Sequence, residues 1–222
     1  MPRSTNECPV IMHQNPQSHI AEAYRLLRTN VEYCSPDHDL KTIAITSAIP
    51  REGKTTTAVN LAIAFAHKES NVLLIDADLR QPSIHRIFHK HNRGGLTNVI
   101  LNQNELLEMV QETSIPHLSI LTSGPVPPNP AELLSSKRMT QILHQLEERF
   151  DIILIDTPPV LGFTDTPIVA TKSDGVLIVL QAGKTKRGDI MKSKQLLGNV
   201  KANVLGVILN QATSKSMKEQ LS

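Results

Sequence analysis

Six continuous apolar runs of strand length punctuate the chain, at residues 42–46, 72–75, 118–121, 152–155, 176–180 and 205–209. None alternates apolar with polar positions, the pattern of a parallel strand buried on both faces. Helical stretches separate them. The region 55–68 carries Val59, Ala62, Phe65 and Ala66 at helical spacing, and an earlier helix carries Ile20, Tyr24, Leu27 and Val31 as an apolar stripe. This alternation predicts an α/β domain with a mostly parallel central sheet and helices on both faces.

Beside the stripe of that first helix, Glu22, Arg25 and Arg28 fall at i, i+3 and i+6 as a polar ridge. Spacing alone allows a solvated face with a local ion pair, worth a few tenths of a kcal/mol, or a contact surface. Residues 1–16 hold three prolines and few apolar clusters, which predicts a loose arm. A single domain is expected over 17–216, with 217–222 a frayed end; 222 residues suit one α/β domain with a sizeable core.

The chemistry begins directly after the first run, at Ser47-Ala48-Ile49-Pro50-Arg51-Glu52-Gly53-Lys54-Thr55. A loop that cradles phosphate needs a glycine where the backbone turns, a lysine to reach the β/γ-phosphates and a hydroxyl for Mg²⁺. Gly53, Lys54 and Thr55 supply them, although Ala48 stands where the usual pattern has its first glycine. Two later apolar runs end in acids, at Asp76-Ala77-Asp78-Leu79-Arg80 and at Asp156-Thr157-Pro158-Pro159. Ligands of open α/β sheets bind at the carboxyl ends of strands, so Lys54, Asp76, Asp78 and Asp156 are expected on one edge. Thr55 with these carboxylates suits magnesium, which takes hard oxygen ligands and keeps several waters. The chain is read as binding a nucleoside triphosphate in a P-loop NTPase-like fold.

Composition changes this little. A net charge of +2 points to neither nucleic acid nor a membrane surface. No run of about 18 apolar residues is present and the N-terminus lacks a signal-peptide pattern; Cys8 and Cys34 fit no metal or redox spacing. The expectation is a cytoplasmic protein. His85, His89 and His91 are read as solvent-facing ahead of metal ligands, and Lys184, Lys186, Arg187, Lys192 and Lys194 as a solvated basic face ahead of a contact for an anionic partner. For Arg80 a structural role and a pairing with carboxylate or phosphate stay open; for Asn210, at the end of the last strand, adenine recognition and a turn role stay open.

The run Asp76–Arg80 and the loop with Pro50 and Glu52-Gly53-Lys54-Thr55 resemble the motifs of bacterial tyrosine kinases, whose loops commonly lack the first glycine. Residues 121–136, containing Ser123-Gly124-Pro125-Val126-Pro127-Pro128-Asn129-Pro130-Ala131-Glu132, are similar to another hallmark of that family. The likeness runs from about Gln17 to Ala212 and is closest to the separate cytoplasmic kinases of Gram-positive capsule and exopolysaccharide systems. It implies ATP and Mg²⁺ as cofactors. It also implies phosphate binding by Arg51, Glu52, Gly53, Lys54, Thr55 and Thr56, metal ligation by Thr55, Asp78 and Asp156, and catalytic roles for Lys54, Asp76, Asp78 and Asp156, with Asp76 the candidate base. The E-x-x-R-x-x-R pattern at Glu22, Arg25 and Arg28 resembles the family's subunit-contact motif, implying a homo-oligomeric ring. Implied partners are protein tyrosines and a transmembrane activator, a polysaccharide co-polymerase that recruits the kinase to the inner face of the membrane.

One departure stands out: the family usually carries a tyrosine-rich tail, whereas this sequence has only Tyr24 and Tyr33. Little self-phosphorylation is therefore expected. The alternative reading is a regulatory ATPase of the Min/Par type, a nucleotide-dependent assembly switch. Such proteins often place an extra lysine early in the phosphate loop, and residues 47–51 contain none.

Overall fold

The computed structural model describes residues 10–34 and 40–212. In chain order the elements are α1 (Ile11–Gln14), α2 (His19–Tyr33), β1 (Thr42–Ser47), α3 (Lys54–Ala66), β2 (Val72–Asp76), α4 (Ile84–Ile87), α5 (Leu96–Ile100), α6 (Leu106–Met109), β3 (Val110–Glu112), β4 (Leu118–Leu121), α7 (Pro130–Ser135), α8 (Lys137–Glu147), β5 (Ile152–Asp156), α9 (Asp165–Ala170), β6 (Gly175–Gln181), α10 (Arg187–Asn199) and β7 (Val204–Asn210). Among the described residues the strands form one sheet of order β3-β4-β2-β5-β1-β6-β7. Every neighbouring pair is parallel except β3 with β4.

All six expected strands are present. The short β3 was not anticipated: Val110-Gln111-Glu112 has one apolar residue and no fully buried position, so it lacks the signal that marks the central strands.

Successive residues of each central strand feed opposite faces of the sheet. Ile43, Ile45, Leu74 and Leu154 pack with α3, α2 and α1, whereas Ala44, Leu73, Ile75, Ile153 and Ile155 pack with residues of α5, α8, α9 and α10. Helix α3 is buried throughout from Thr57 to Ala66, because α2 and α1 cover the side turned away from the sheet.

Two expectations are corrected here. Within the segment expected as a loose arm, Met12 of α1 is fully buried and its N–H donates to Asn60 Oδ1 of α3 at 3.0 Å. On α2 the inward stripe is Ala21, Tyr24, Leu27 and Val31, while Ile20 is 55% exposed. Ala21 is fully buried on that side, and its sequence neighbour Ile20 points to the adjoining, exposed face. Residues 1–9, including Cys8, and the expected frayed end at 217–222 lie outside the described residues.

β1 lies between β5 and β6, while the chain leaves β1 for β2 on the far side of β5. The carboxyl ends of β1, β2 and β5 therefore converge on one edge, where an open α/β sheet places its ligand.

Candidate active site

The loop after β1 returns into α3 through two left-handed residues, Arg51 at φ 67° and Gly53 at φ 92°. Glycine at 53 suits the positive φ, and an added Cβ would stand 2.1 Å from Asn210 Nδ2 and push that amide off the Glu52 carbonyl. Gly53 caps α3, so the positive end of a thirteen-residue helix opens at the loop, as an anion site requires. Ser47 Oγ donates to the Ile49 carbonyl at 2.9 Å. Glu52 is 1% exposed and turns its carboxylate inward, where Oε2 accepts the Ile49 N–H at 2.8 Å and Oε1 accepts the Thr185 hydroxyl. Its carbonyl accepts Asn210 Nδ2 at 2.9 Å. Glu52 thus shapes the loop from beneath, leaving backbone groups for the ligand.

Lys54 leads α3 and reaches back over the strand ends. Its Nζ stands 3.0 Å from Asp78 Oδ2 and 3.4 Å from each Asp156 oxygen. Thr55 Oγ1 donates to Asp156 Oδ2 at 2.6 Å. Asp76 and Asp156 close β2 and β5 in register with each other, both fully buried. Asp76 Oδ2 accepts the N–H groups of Ser83 and Ile84, at 2.9 and 3.0 Å, while its buried Oδ1 has no hydrogen-bond partner among the described residues. Asp78 Oδ1 accepts the Gln81 N–H at 3.0 Å. The sequence-expected set of Lys54, Thr55, Asp76, Asp78 and Asp156 is therefore one cluster.

Electrostatics follow from burial. Desolvation, then the neighbouring Asp156 charge, pushes the Asp76 carboxyl from 3.8 to about 7. Burial likewise raises Asp156 against the opposing pull of Lys54 and the Thr55 hydrogen bond. At Lys54 burial works against the ammonium, but Asp156 and Asp78 outweigh it and the pKa is raised. One cation faces three carboxylates, an excess of negative charge that a bound cation would relieve.

The donor set fits magnesium. Thr55 Oγ1, Asp78 and Asp156 are hard oxygen donors gathered around one point, and among the described residues no group of three or more His, Cys, Asp or Glu side chains could hold a metal by itself. A site of that kind suits an ion that keeps waters and shares substrate phosphates.

Comparison with known proteins bears on what such a cluster serves. Residues 40–204 match the family described as an AAA domain. The tyrosine-protein kinase YwqD of Bacillus subtilis (strain 168) is 45% identical over 201 residues, 90% of this chain and 85% of that protein. The chain belongs to the bacterial tyrosine-kinase family. The crystal structure of the chimerical protein CapA2B2 superposes with a TM-score of 0.89 at 36% identity, over 92% of this chain and 90% of that one. The kinase domain of the Escherichia coli tyrosine kinase ETK gives 0.87 at 31% identity, over 96% and 85%. These are P-loop NTPase-like domains, as the strand pattern and loop led one to expect.

In this member of the family, the remaining expected residues sit as follows. Thr56, in the first turn of α3, is half-buried, and its carbonyl accepts Asn60 Nδ2. Asn210 sits under the phosphate loop, donating to the Glu52 carbonyl and accepting the Gln211 N–H through Oδ1. Arg80 forms a two-pronged pair with fully buried Asp165, at 2.8 and 3.0 Å, and its guanidinium lies 4.5 Å over the Phe163 ring. That settles Arg80 as pairing with a carboxylate. Asp165 and Thr185 were not anticipated: each lies far along the chain from its partner and in no recognisable pattern.

The ridge on α2 divides. Glu22 and Arg25 pair at 2.7 Å on the surface. Arg28 instead tucks against α3, where Nη1 donates to the Ala64 carbonyl at 3.0 Å. In the segment resembling the family hallmark, Asn92 holds Gly124 through both its N–H, at 2.9 Å, and its carbonyl, at 2.8 Å, and Pro130 is buried as the first residue of α7. Among the described residues no helix is long and apolar enough to cross a membrane.

Proposed function

We propose that this kinase transfers the γ-phosphoryl group of ATP to tyrosine hydroxyls of proteins. The observation that carries the reading is the convergence of Lys54, Thr55, Asp76, Asp78 and Asp156 at the carboxyl edge of β1, β2 and β5. In the transfer a bond forms between the phenol oxygen and the γ-phosphorus, the β–γ bridging bond breaks, and the phenol proton must leave. Backbone N–H groups of Arg51–Thr55 and Thr56 cradle the phosphates. Lys54 swings from its carboxylates onto the β/γ-oxygens and neutralises the charge that grows there. Thr55, with Asp78 and Asp156 through water, would hold Mg²⁺, which supplies charge neutralisation on the phosphates.

Asp76 takes the phenol proton. A phenol pKa near 10 lies well above a carboxylate of about 7, so the proton moves to Asp76 only as the bond to phosphorus forms and lowers the phenol's hold on it, and positioning dominates the rate. The unpartnered Oδ1 is the acceptor atom this role needs. Asn210, already beneath the loop, is placed to meet the base of the nucleotide.

The unit responsible takes in α1, whose Met12 is buried against α3, together with the elements that follow, and it regulates capsular or exopolysaccharide synthesis and export. A transmembrane activator of the co-polymerase kind recruits it to the inner face of the membrane, and Glu22, Arg25 and Arg28 join copies into a ring. The deciding experiment incubates the protein with Mg²⁺, γ-labelled ATP and a tyrosine-containing acceptor polymer, with and without a candidate activator, and maps phosphotyrosine. Hydrolysis of ATP with no phosphotyrosine on any acceptor would turn the reading toward the nucleotide switch.

A further inference from the structure

The Glu52 carboxylate stands beneath a loop that must receive the most highly charged part of a nucleotide, yet it is 1% exposed. A carboxylate left free to rotate upward would repel phosphate and leave the Ile49 N–H without its partner. It is held down from the other side of the site. Thr185, in the turn between β6 and α10, donates its hydroxyl to Glu52 Oε1. Thr185 Oγ1 itself accepts the Gln181 N–H at 2.9 Å and stands 3.2 Å from the Gln181 carbonyl, so the hydroxyl is fixed to the end of β6. Asn210 completes the brace at the end of β7, which is tied to the same turn by the Ala182 N–H on the Asn210 carbonyl at 2.9 Å.

We infer that Thr185 is a positioning residue for nucleotide binding: it acts through Glu52 to hold the phosphate loop in its receptive shape. The left-handed conformation at Arg51 is sparsely populated for a residue with a side chain and needs support from its surroundings, whereas Gly53 adopts its positive φ freely. Glu52 lies between the two and supplies that support only while its own carboxylate is tied. The inference rests on the nucleotide reading above and adds to it a control point outside the loop.

The test compares Thr185→Val, which keeps the shape and loses the hydroxyl, with Thr185→Ser, which keeps the hydroxyl. Calorimetric titration with Mg-ADP is expected to show about ten-fold weaker binding in the valine variant, the effect of losing one hydrogen bond to a charged group. The serine variant should stay within about two-fold of the parent. Phosphotransfer should show the loss mainly in KM for ATP rather than in kcat. Hydrogen exchange at the Ile49 amide should be slow in the parent and faster in Thr185→Val, a readout independent of activity. Equal affinity in parent and valine variant overturns the inference, as does equal loss in the serine variant, which would assign the effect to packing. Rapid exchange at Ile49 in the parent overturns it without any variant; Thr185→Ala serves if the valine protein does not fold. A folded parent that binds no Mg-ADP instead overturns the nucleotide reading itself.

Discussion

Asp76 and Asp156 face each other across the ends of adjacent parallel strands, both fully removed from water. Two carboxylates so placed cannot both ionise cheaply, and the one farther from Lys54's reach retains its proton to about pH 7. The pair divides the labour: Asp156 is bound to Thr55 and Lys54, whereas Asp76 keeps an oxygen unclaimed among the described residues.

Asp76→Asn and Asp156→Asn should each lower phosphotransfer by roughly a hundred-fold or more, the scale of a lost general base or metal-organising group. ADP affinity should fall far less, because backbone groups and Lys54 hold the phosphates. Parallel titration and turnover assays check this; parent-like turnover in both variants would remove them from the mechanism.

The same pair predicts a pH dependence of stability in the metal-free protein. Folding raises the Asp76 pKa from 3.8 to about 7, so the native state holds a proton that the unfolded chain releases. The associated stability is full below the lower value and is lost as pH rises through the upper one. Thermal midpoints in chelator should therefore decline across that interval, and Asp76→Asn should flatten the decline and raise the midpoint at neutral pH. A midpoint that rises over the interval would contradict the assignment.

The divided ridge on α2 predicts that assembly and folding separate by residue. Glu22→Ala with Arg25→Ala removes a surface ion pair of little worth to the fold and the Arg25 hydrogen bond to the Pro16 carbonyl, and should shift light-scattering mass toward the monomer with a thermal midpoint lowered by less than in Arg28→Ala. Arg28→Ala should do the same and also cost about 1–2 kcal/mol, since it breaks the contact to Ala64. A parent that is monomeric at high concentration, with or without Mg-ADP, would count against the ring.

Tyr33 is 76% exposed, while Tyr24 packs against the α3 side of the core. Tyr33 also closes α2, where the helix dipole and adjacent Glu32 disfavour a charge of about −1.5 to −2. In a chain of these 222 residues, labelling should therefore be weak on both and carried by a separate acceptor. Mass-spectrometric mapping that found stoichiometric phosphate on Tyr33 would make α2 both the assembly surface and its switch.

Sequence reveals what is local. Continuous apolar runs disclosed six strands, and the order of Lys54–Thr55, Asp76, Asp78 and Asp156 at their ends disclosed the cluster. What stayed hidden depends on distant partners. Thr185 meets Glu52 across 133 positions and Asp165 meets Arg80 across 85, with no periodicity to announce either. The stripe on α2 identified a buried side but not its centre, because small Ala21, which carries little apolar signal, is fully buried while larger Ile20 is exposed. Met12 packs through a single side chain and one hydrogen bond to Asn60, too little pattern to read among prolines.

The central claim is tested most directly by one comparison: phosphotyrosine formed from γ-labelled ATP by the parent and by Lys54→Met, with fold checked by circular dichroism. Lys54 is the group placed to neutralise charge at the β/γ-phosphates. Label on acceptor tyrosines with the parent, and none above background with a folded Lys54→Met protein, is the predicted result. Equal labelling by both would contradict the site and the function built on it.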